Sequence, residues 1–225
     1  MNDANLTLLS SDRVRQRLMS EFFDKPILEN NLRGYWCEAM VAEALGKDCH
    51  VSSGGWAPWD LQIGKHSDLY PDRIRIQVKN SARLQTWHGP EAVGSQSSFN
   101  LVYRGCPAYW ERDYSDRACE KSGFLCDVFA LCFHSHTGRE TIDQRDPAQW
   151  SVYLISAHPA DGDITDAEFN GCKRRFDQTN RPRSLQRRPE TLEIGIRGRR
   201  LVRPIPLQDL NIRAIRQVLE NSLQQ

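Results

Sequence analysis

Two segments of this chain leave little choice about where they can go. "FLCDVFALCFH" (residues 124–134) is an almost continuous apolar run, and "WSVYLISA" (150–157) is another. A strand that is apolar on both faces has to be covered on both, so these runs are predicted to be buried strands in the middle of a sheet rather than half-exposed ones. Neither approaches the length of a membrane span. The chain has 225 residues, enough for one domain with a full core plus an appended segment.

The other elements are read around that centre. Residues 12–23 have a helical pattern, capped by Ser10 or Ser11 and stopped before Pro26. A second helix is predicted within "NNLRGYWCEAMVAEALG", with Gly34, Glu38, Val41, Ala42 and Leu45 on one face and Gly46 as its stop. Three short strands follow at 49–53, 59–63 and 73–81, separated by the turn-rich "GGWAP" and "GKHSDLYPD", and they look like a meander. Residues 83–122 have no clean period apart from a strand at 99–103, and read as a long insertion, a feature often tied to function. After Pro206 a last amphipathic helix would place Leu207, Leu210, Ala214, Val218 and Leu219 along one stripe. The expected class is α/β, a central mixed sheet flanked by helices.

The strand at 73–81 carries the chemistry. Ile74, Ile76 and Val78 point one way, and Arg73, Arg75, Gln77, Lys79 and Ser81 the other. In the preceding strand Asp60 and Gln62 share a face, and a hairpin would bring Asp60 beside the Gln77/Lys79 pair. Glu38 interrupts an otherwise apolar helix stripe, and a buried unpaired carboxylate is costly or shifts its pKa. Together Glu38, Asp60, Gln77 and Lys79 form a set suited to phosphodiester hydrolysis. Asp60, the side-chain oxygen of Gln77 and the backbone carbonyl of Val78 would hold one magnesium or manganese ion, with Glu38 ligating through water or binding a second, because such hard cations take oxygen ligands. Lys79 would then orient the attacking water near the scissile phosphate. The plainer alternatives are a Glu38 paired with Arg33 and a Lys79 that snorkels to the surface.

The order of helix Glu, strand Asp and a (Glu/Gln)-x-Lys strand resembles the PD-(D/E)xK nuclease superfamily. Within it, "RGYWCEAMVAEALG", "WDLQIG", "IQVKNSARLQTW", "CDVFALCFH" and "DPAQWSVYLISA" are similar to a group of bacterial restriction-endonuclease-like members. The resemblance spans residues 32–157. It implies a restriction-endonuclease-like αβββαβ core, magnesium dependence and DNA as substrate, in restriction, defence, repair or mobile-element processing. Residues 1–165 would form this nuclease-like domain, and residues 166–225 a basic segment and terminal helix packed on it. The departure is Gln77, where glutamate is more usual; an amide removes one negative charge from the ion's surroundings. A nucleic-acid-binding module or complex subunit with a degenerate site is therefore the rival expectation. Enzymes of this fold often act as homodimers.

Charge distribution agrees with a polyanionic partner. The net charge is only +1, yet residues 171–203 hold eleven Lys/Arg against three Asp/Glu. Arg174, Arg175, Arg187, Arg188, Arg199 and Arg200 are the candidate phosphate contacts, unless the segment is a solvated loop. Ser81, Gln85 and Trp87, just after the lysine strand, are candidates for nucleic-acid contact or for a structural cap. Asp127 opens a buried strand, either to order Lys79 or simply as a strand-opening carboxylate. Cys132, His134 and His136 alternate, but their spacing fits no standard zinc motif, and a core cysteine with strand-end histidines is preferred. The seven cysteines form no CxxC pair, and the first residues lack a basic stretch followed by an apolar one, so reduced thiols and a cytoplasmic, membrane-free protein are expected.

Overall fold

The structure is a computed structural model and describes residues 10–52, 59–65, 72–89, 91–92, 94, 98–103, 126–157, 190–195 and 203–223. In chain order it contains α1 (Ser11–Phe22), α2 (Asn30–Leu45), β1 (Cys49–Val51), β2 (Leu61–Ile63), β3 (Ile74–Ala82), β4 (Ser98–Tyr103), β5 (Val128–His134), β6 (Trp150–Ser156), β7 (Glu190–Gly195), β8 (Ile205–Pro206) and α3 (Ile212–Leu223). Six strands form one mixed sheet in the order β1-β2-β3-β5-β6-β8, and β4 pairs with β7 in a second, two-stranded sheet. The protein is α/β.

The expected meander is present: β1 pairs antiparallel with β2, and β2 with β3. It is shorter than predicted, because Trp59 and Asp60 precede β2 and Ser52 follows β1. β2 ends at Gly64, whose φ of +83° favours glycine; a Cβ there would stand 2.1 Å from the Asp72 carbonyl oxygen. β5 then joins β3 in parallel, from Ile76↔Val128 to Ala82↔His134. The two apolar runs do sit mid-sheet, with β5 between β3 and β6, and β6 between β5 and β8. Helix, three antiparallel strands and a parallel fourth is the part of the expected αβββαβ order that the described residues contain. Its second helix would fall between β3 and β5, where residues 104–125 lie outside the described residues.

One face of the sheet packs under α2 and α3. Cys37, Val41 and Leu45 of α2 and Ile215 and Leu219 of α3 close over Leu61, Ile63, Ile74, Ile76, Val78, Val128, Ala130, Cys132, Val152 and Leu154. Each such aliphatic side chain contributes about 1.5–3 kcal/mol on full burial. The buried stripe of α2 is Arg33, Cys37, Val41 and Leu45, rotated by about one position from the predicted face. Glu38 therefore stands at the border of the buried face, half-buried, and the fully buried charge on this helix is Arg33. α1 buries no residue; Ser10 caps it, its Oγ accepting the Arg13 N–H at 3.3 Å.

The C-terminal part contributes strands that the basic composition concealed: β7 pairs with β4 and β8 with β6. Cys37, Cys49, Cys126 and Cys132 are free thiols in the core, and the other three cysteines lie outside the described residues. Among the described residues no helix is long and apolar enough to cross a membrane.

At the start of the parallel ladder, Asp127 and Arg75 form a bidentate ion pair, with Arg75 Nε donating to Oδ2 at 3.0 Å and Nη2 to Oδ1 at 2.8 Å. The Arg75 backbone N–H also donates to Oδ2, at 2.7 Å. Both side chains are nearly excluded from solvent, at 11% and 2% exposure. Removing the carboxylate takes the bidentate contact from a nearly buried guanidinium, so Asp127→Ala should destabilise the fold by about 3–5 kcal/mol. Urea unfolding checks this, and a variant within about 0.5 kcal/mol of wild type would mean that the pair is dispensable.

Candidate active site

The site forms where β2 parts from β3. Asp60 immediately precedes the last β2–β3 pair, Leu61↔Ile76. Its backbone N–H still donates to the Ile76 carbonyl, at 3.1 Å, and its own carbonyl accepts the Ser52 N–H at 2.9 Å. Beyond that point β2 supplies no backbone partner, and the Asp60 carboxylate takes over: Oδ2 accepts the Val78 N–H at 2.7 Å and the Gln77 Nε2 at 2.5 Å. Backbone N–H and C=O of one strand residue point to the same side. The Val78 carbonyl thus faces the gap that β2 has left, beside Asp60.

Lys79 lies one step further along β3 on the Gln77 face, and Glu38 approaches from α2. The charges are close enough to act on one another. Burial pushes the Glu38 carboxyl up to about 7, the negative charge of Asp60 adds to that, and the Lys79 ammonium opposes it. Asp60 is also raised, chiefly by burial, against the lowering effects of Lys79, the Val78 N–H and the Gln77 amide. Two desolvated carboxylates near one ammonium make a site that a further cation would relieve.

The structure thus brings Asp60 and Gln77 into contact and holds Glu38 and Lys79 within reach of their charge. It does not pair Glu38 with Arg33. The Arg33 guanidinium is held instead by three amide oxygens: Nε donates to Asn80 Oδ1 at 2.8 Å, Nη1 to Gln85 Oε1 at 2.7 Å and Nη2 to Asn30 Oδ1 at 2.6 Å. Burial lowers its pKa below the usual arginine value. Gln85, a candidate for nucleic-acid contact, is buried and spends its amide on Arg33 and on the Ala82 carbonyl, 2.7 Å away. Ser81 is buried as well, whereas Trp87 is 65% exposed, with His88 edge-on at 6.0 Å. Arg174, Arg175, Arg187, Arg188, Arg199 and Arg200 lie outside the described residues.

Asp127 belongs to Arg75 and not to Lys79. The zinc alternative finds no support in the geometry: Cys132 sits in the core, the His134 Nε2 pairs with Gln149 Oε1 at 3.2 Å, and His136 Nε2 with Thr141 Oγ1 at 2.8 Å. Sequence reasoning named Arg33 only as a partner for Glu38 and missed its three amide partners, Asn30, Asn80 and Gln85.

Among the described residues no group of three or more His, Cys, Asp or Glu side chains could hold a metal ion. A divalent cation here would draw on two carboxylates, Glu38 and Asp60, and complete its shell with the Gln77 amide oxygen, the Val78 carbonyl and water. Those are hard oxygen donors of the kind magnesium takes, so the residues fit such an ion. The Gln77 amide would have to turn, since it now presents its nitrogen to Asp60. Comparison with protein-family models, curated proteins and solved structures finds no match to this chain.

The raised Glu38 gives a pH prediction with a definite sign. A carboxyl that titrates near 7 folded and near 4.5 unfolded adds stability that is fully present below about 4.5 and is lost as pH rises through about 7. In metal-free buffer Glu38→Gln should therefore melt with wild type at pH 4 and above it at pH 8, the gap opening between those pKa values. Thermal unfolding across that range tests it, and a gap independent of pH would remove Glu38 from the buried acidic pair.

Proposed function

We propose that the protein is a divalent-metal-dependent nuclease that hydrolyses phosphodiester bonds in DNA, built on a restriction-endonuclease-like core. The observation that carries the reading is the placement of Asp60: bonded by the Gln77 amide and the Val78 backbone N–H, and within the fields of Lys79 and Glu38. A strand divergence lined by carboxylates and a lysine suits a phosphate whose charge grows during hydrolysis.

Asp60, Glu38, the turned Gln77 amide and the Val78 carbonyl would hold magnesium or manganese. Bound there, the ion supplies Lewis acidity and a lowered pKa for a coordinated water. Lys79 holds the non-bridging phosphate oxygens and orients the attacking water by donating hydrogen bonds. Glu38, whose carboxyl is raised by burial and by the Asp60 charge, would be held ionised once it ligates the ion.

The rival reading, a DNA-binding module on the same fold with little cleavage, is favoured by one specific contact. Gln77 donates to Asp60 Oδ2 and so occupies one of the two carboxylate oxygens that an ion could use. A glutamate in its place would repel Asp60 until a cation arrived.

Incubation of the protein with plasmid and with single-stranded DNA, in magnesium, manganese or EDTA, tests the proposal. Metal-dependent cutting is expected, and Asp60→Ala and Lys79→Ala should each lower it by on the order of 10²-fold or more with DNA binding retained. Either variant cutting at the wild-type rate would sink the site assignment.

Gln77→Glu separates the two readings. It adds a charge at constant size, so the metal concentration for half-maximal cleavage should fall. In a degenerate binder, cleavage should appear where the parent has none. If neither metal affinity nor cleavage responds, Gln77 does not face an ion.

A further inference from the structure

Past Ala82, the last residue of β3, the chain turns within a few residues. Thr86 and Trp87 are the two central residues of a β-turn, closed by the His88 N–H donating to the Gln85 carbonyl at 3.0 Å. The His88 ring closes the same turn a second time, its Nδ1 accepting the Gln85 N–H at 3.2 Å. Just beyond, the Arg139 guanidinium donates to the Gly89 carbonyl.

The base of this turn is fixed by the core. Leu84 and Gln85 are buried, and Gln144 Nε2 donates to the Leu84 carbonyl at 2.9 Å. The Gln85 amide donates to the Ala82 carbonyl and accepts from Arg33 Nη1, both at 2.7 Å. The same guanidinium donates to Asn80, the neighbour of Lys79 on β3. One buried group therefore holds both the lysine strand and the turn. The stretch of chain from Lys79 to Trp87 spans at most about 28 Å.

What the turn holds out is one indole. Trp87 is 65% exposed, more than any other large hydrophobic side chain among the described residues. Thr86 and Gly89 beside it are exposed too, and His88 is half-buried. A protein-docking surface is a contiguous apolar patch of a few hundred Å². A single ring set among threonine, histidine and glycine suits another flat ring instead, and the hydrogen bonds beneath it have already met the cost of ordering it. Exposed Glu91 and Glu140 accompany Arg139 in the adjoining segments, so stacking and not charge would do the recognising.

We infer that Trp87 is a stacking platform for an unpaired base of the DNA strand held at the active site. The inference rests on the nuclease reading and adds a substrate class to it. A base inside a duplex has both faces covered by its neighbours, so the platform serves a single strand, an overhang or a frayed end. Every base has a π-face, which makes such recognition tolerant of sequence.

Fluorescence anisotropy in EDTA, where binding is read without cleavage, tests this with labelled oligo-dT and a blunt duplex over a range of KCl concentrations. Strands of about 12 nucleotides, at about 3.4 Å or more per nucleotide, are long enough to reach from Lys79 to the turn. The proteins are wild type, Trp87→Ala, Trp87→Phe and a Phe22→Ala control that removes an exposed ring from α1, each checked by thermal melting. Trp87→Ala should bind the single strand about 10-fold more weakly, and Trp87→Phe should recover most of that loss. The salt slope should stay unchanged, because stacking releases no counterions. Blunt-duplex affinity and the Phe22→Ala control should stay within about 2-fold of wild type.

Unchanged single-strand affinity in Trp87→Ala would overturn the inference. So would an equal loss on the duplex, an equal loss in the control, or a flattened salt slope, which would make Trp87 a support for phosphate contacts. If plasmid cutting is metal-dependent while Trp87→Ala binds normally, the nuclease reading survives and the platform fails. If Trp87→Ala weakens single-strand binding but no metal supports cutting, the platform stands and the nuclease reading fails. If wild type binds neither DNA, both fall.

Discussion

The parallel pairing of β3 with β5 depends on one buried ion pair. Antiparallel strands inherit their register from the turn that joins them, but parallel strands are joined by a long crossover that sets nothing. Hydrophobic patterning does not help, because β5 is apolar on both sides and would be equally buried after a slip of one residue. Asp127 resolves this degeneracy. It exchanges backbone bonds with Arg75, donating its N–H to the Arg75 carbonyl at 2.9 Å, while its carboxylate takes the Arg75 backbone and guanidinium together. A slip would break the bidentate pairing of two nearly buried charges, far more costly than a shifted methyl group.

A second polar cluster does for the helix what that pair does for the strand. Arg33 joins α2 to β3 through Asn80 and to the segment after β3 through Gln85, with neutral oxygens only. Amides satisfy the guanidinium without cancelling its charge, so the carboxylates nearby are left uncommitted. Had Arg33 paired with Glu38, the helix glutamate would be neutralised and of no use to an ion. The arrangement keeps Glu38 at the border of the buried face, one and a half turns along the helix, where burial first and then Asp60 and Lys79 set its charge.

Much of this was legible in the sequence, and the parts that were not share a cause. The alternation of β3 put Gln77 and Lys79 on one face, and the turn-rich link before it implied an antiparallel partner carrying Asp60; both are local patterns. The predicted helix stripe differs from the buried one by about one position and leaves out Arg33, whose burial depends on Asn80 and Gln85, about fifty residues away. β7 was overlooked within a basic stretch, although "TLEI" alternates, because its partner β4 lies some ninety residues earlier. The pairing of Asp127 with Arg75 likewise spans 52 residues and leaves no short-range mark.

The geometry of Asp60 is where these constraints meet. A carboxylate at a strand's first step can act as a backbone surrogate, accepting the N–H that its own strand no longer reaches, and it pays for that role with desolvation. Its raised pKa is the signature of that compromise: three favourable interactions, with Lys79, Val78 and Gln77, do not offset burial. One oxygen, Oδ2, makes both hydrogen bonds. The two bonds differ in permanence, since the Val78 N–H is fixed by the strand whereas the Gln77 amide turns about its terminal torsion at little cost. Exchange of ligands at Asp60 therefore requires motion of one side chain and none of the backbone, so the structural core and the chemical site can be tuned separately at this position.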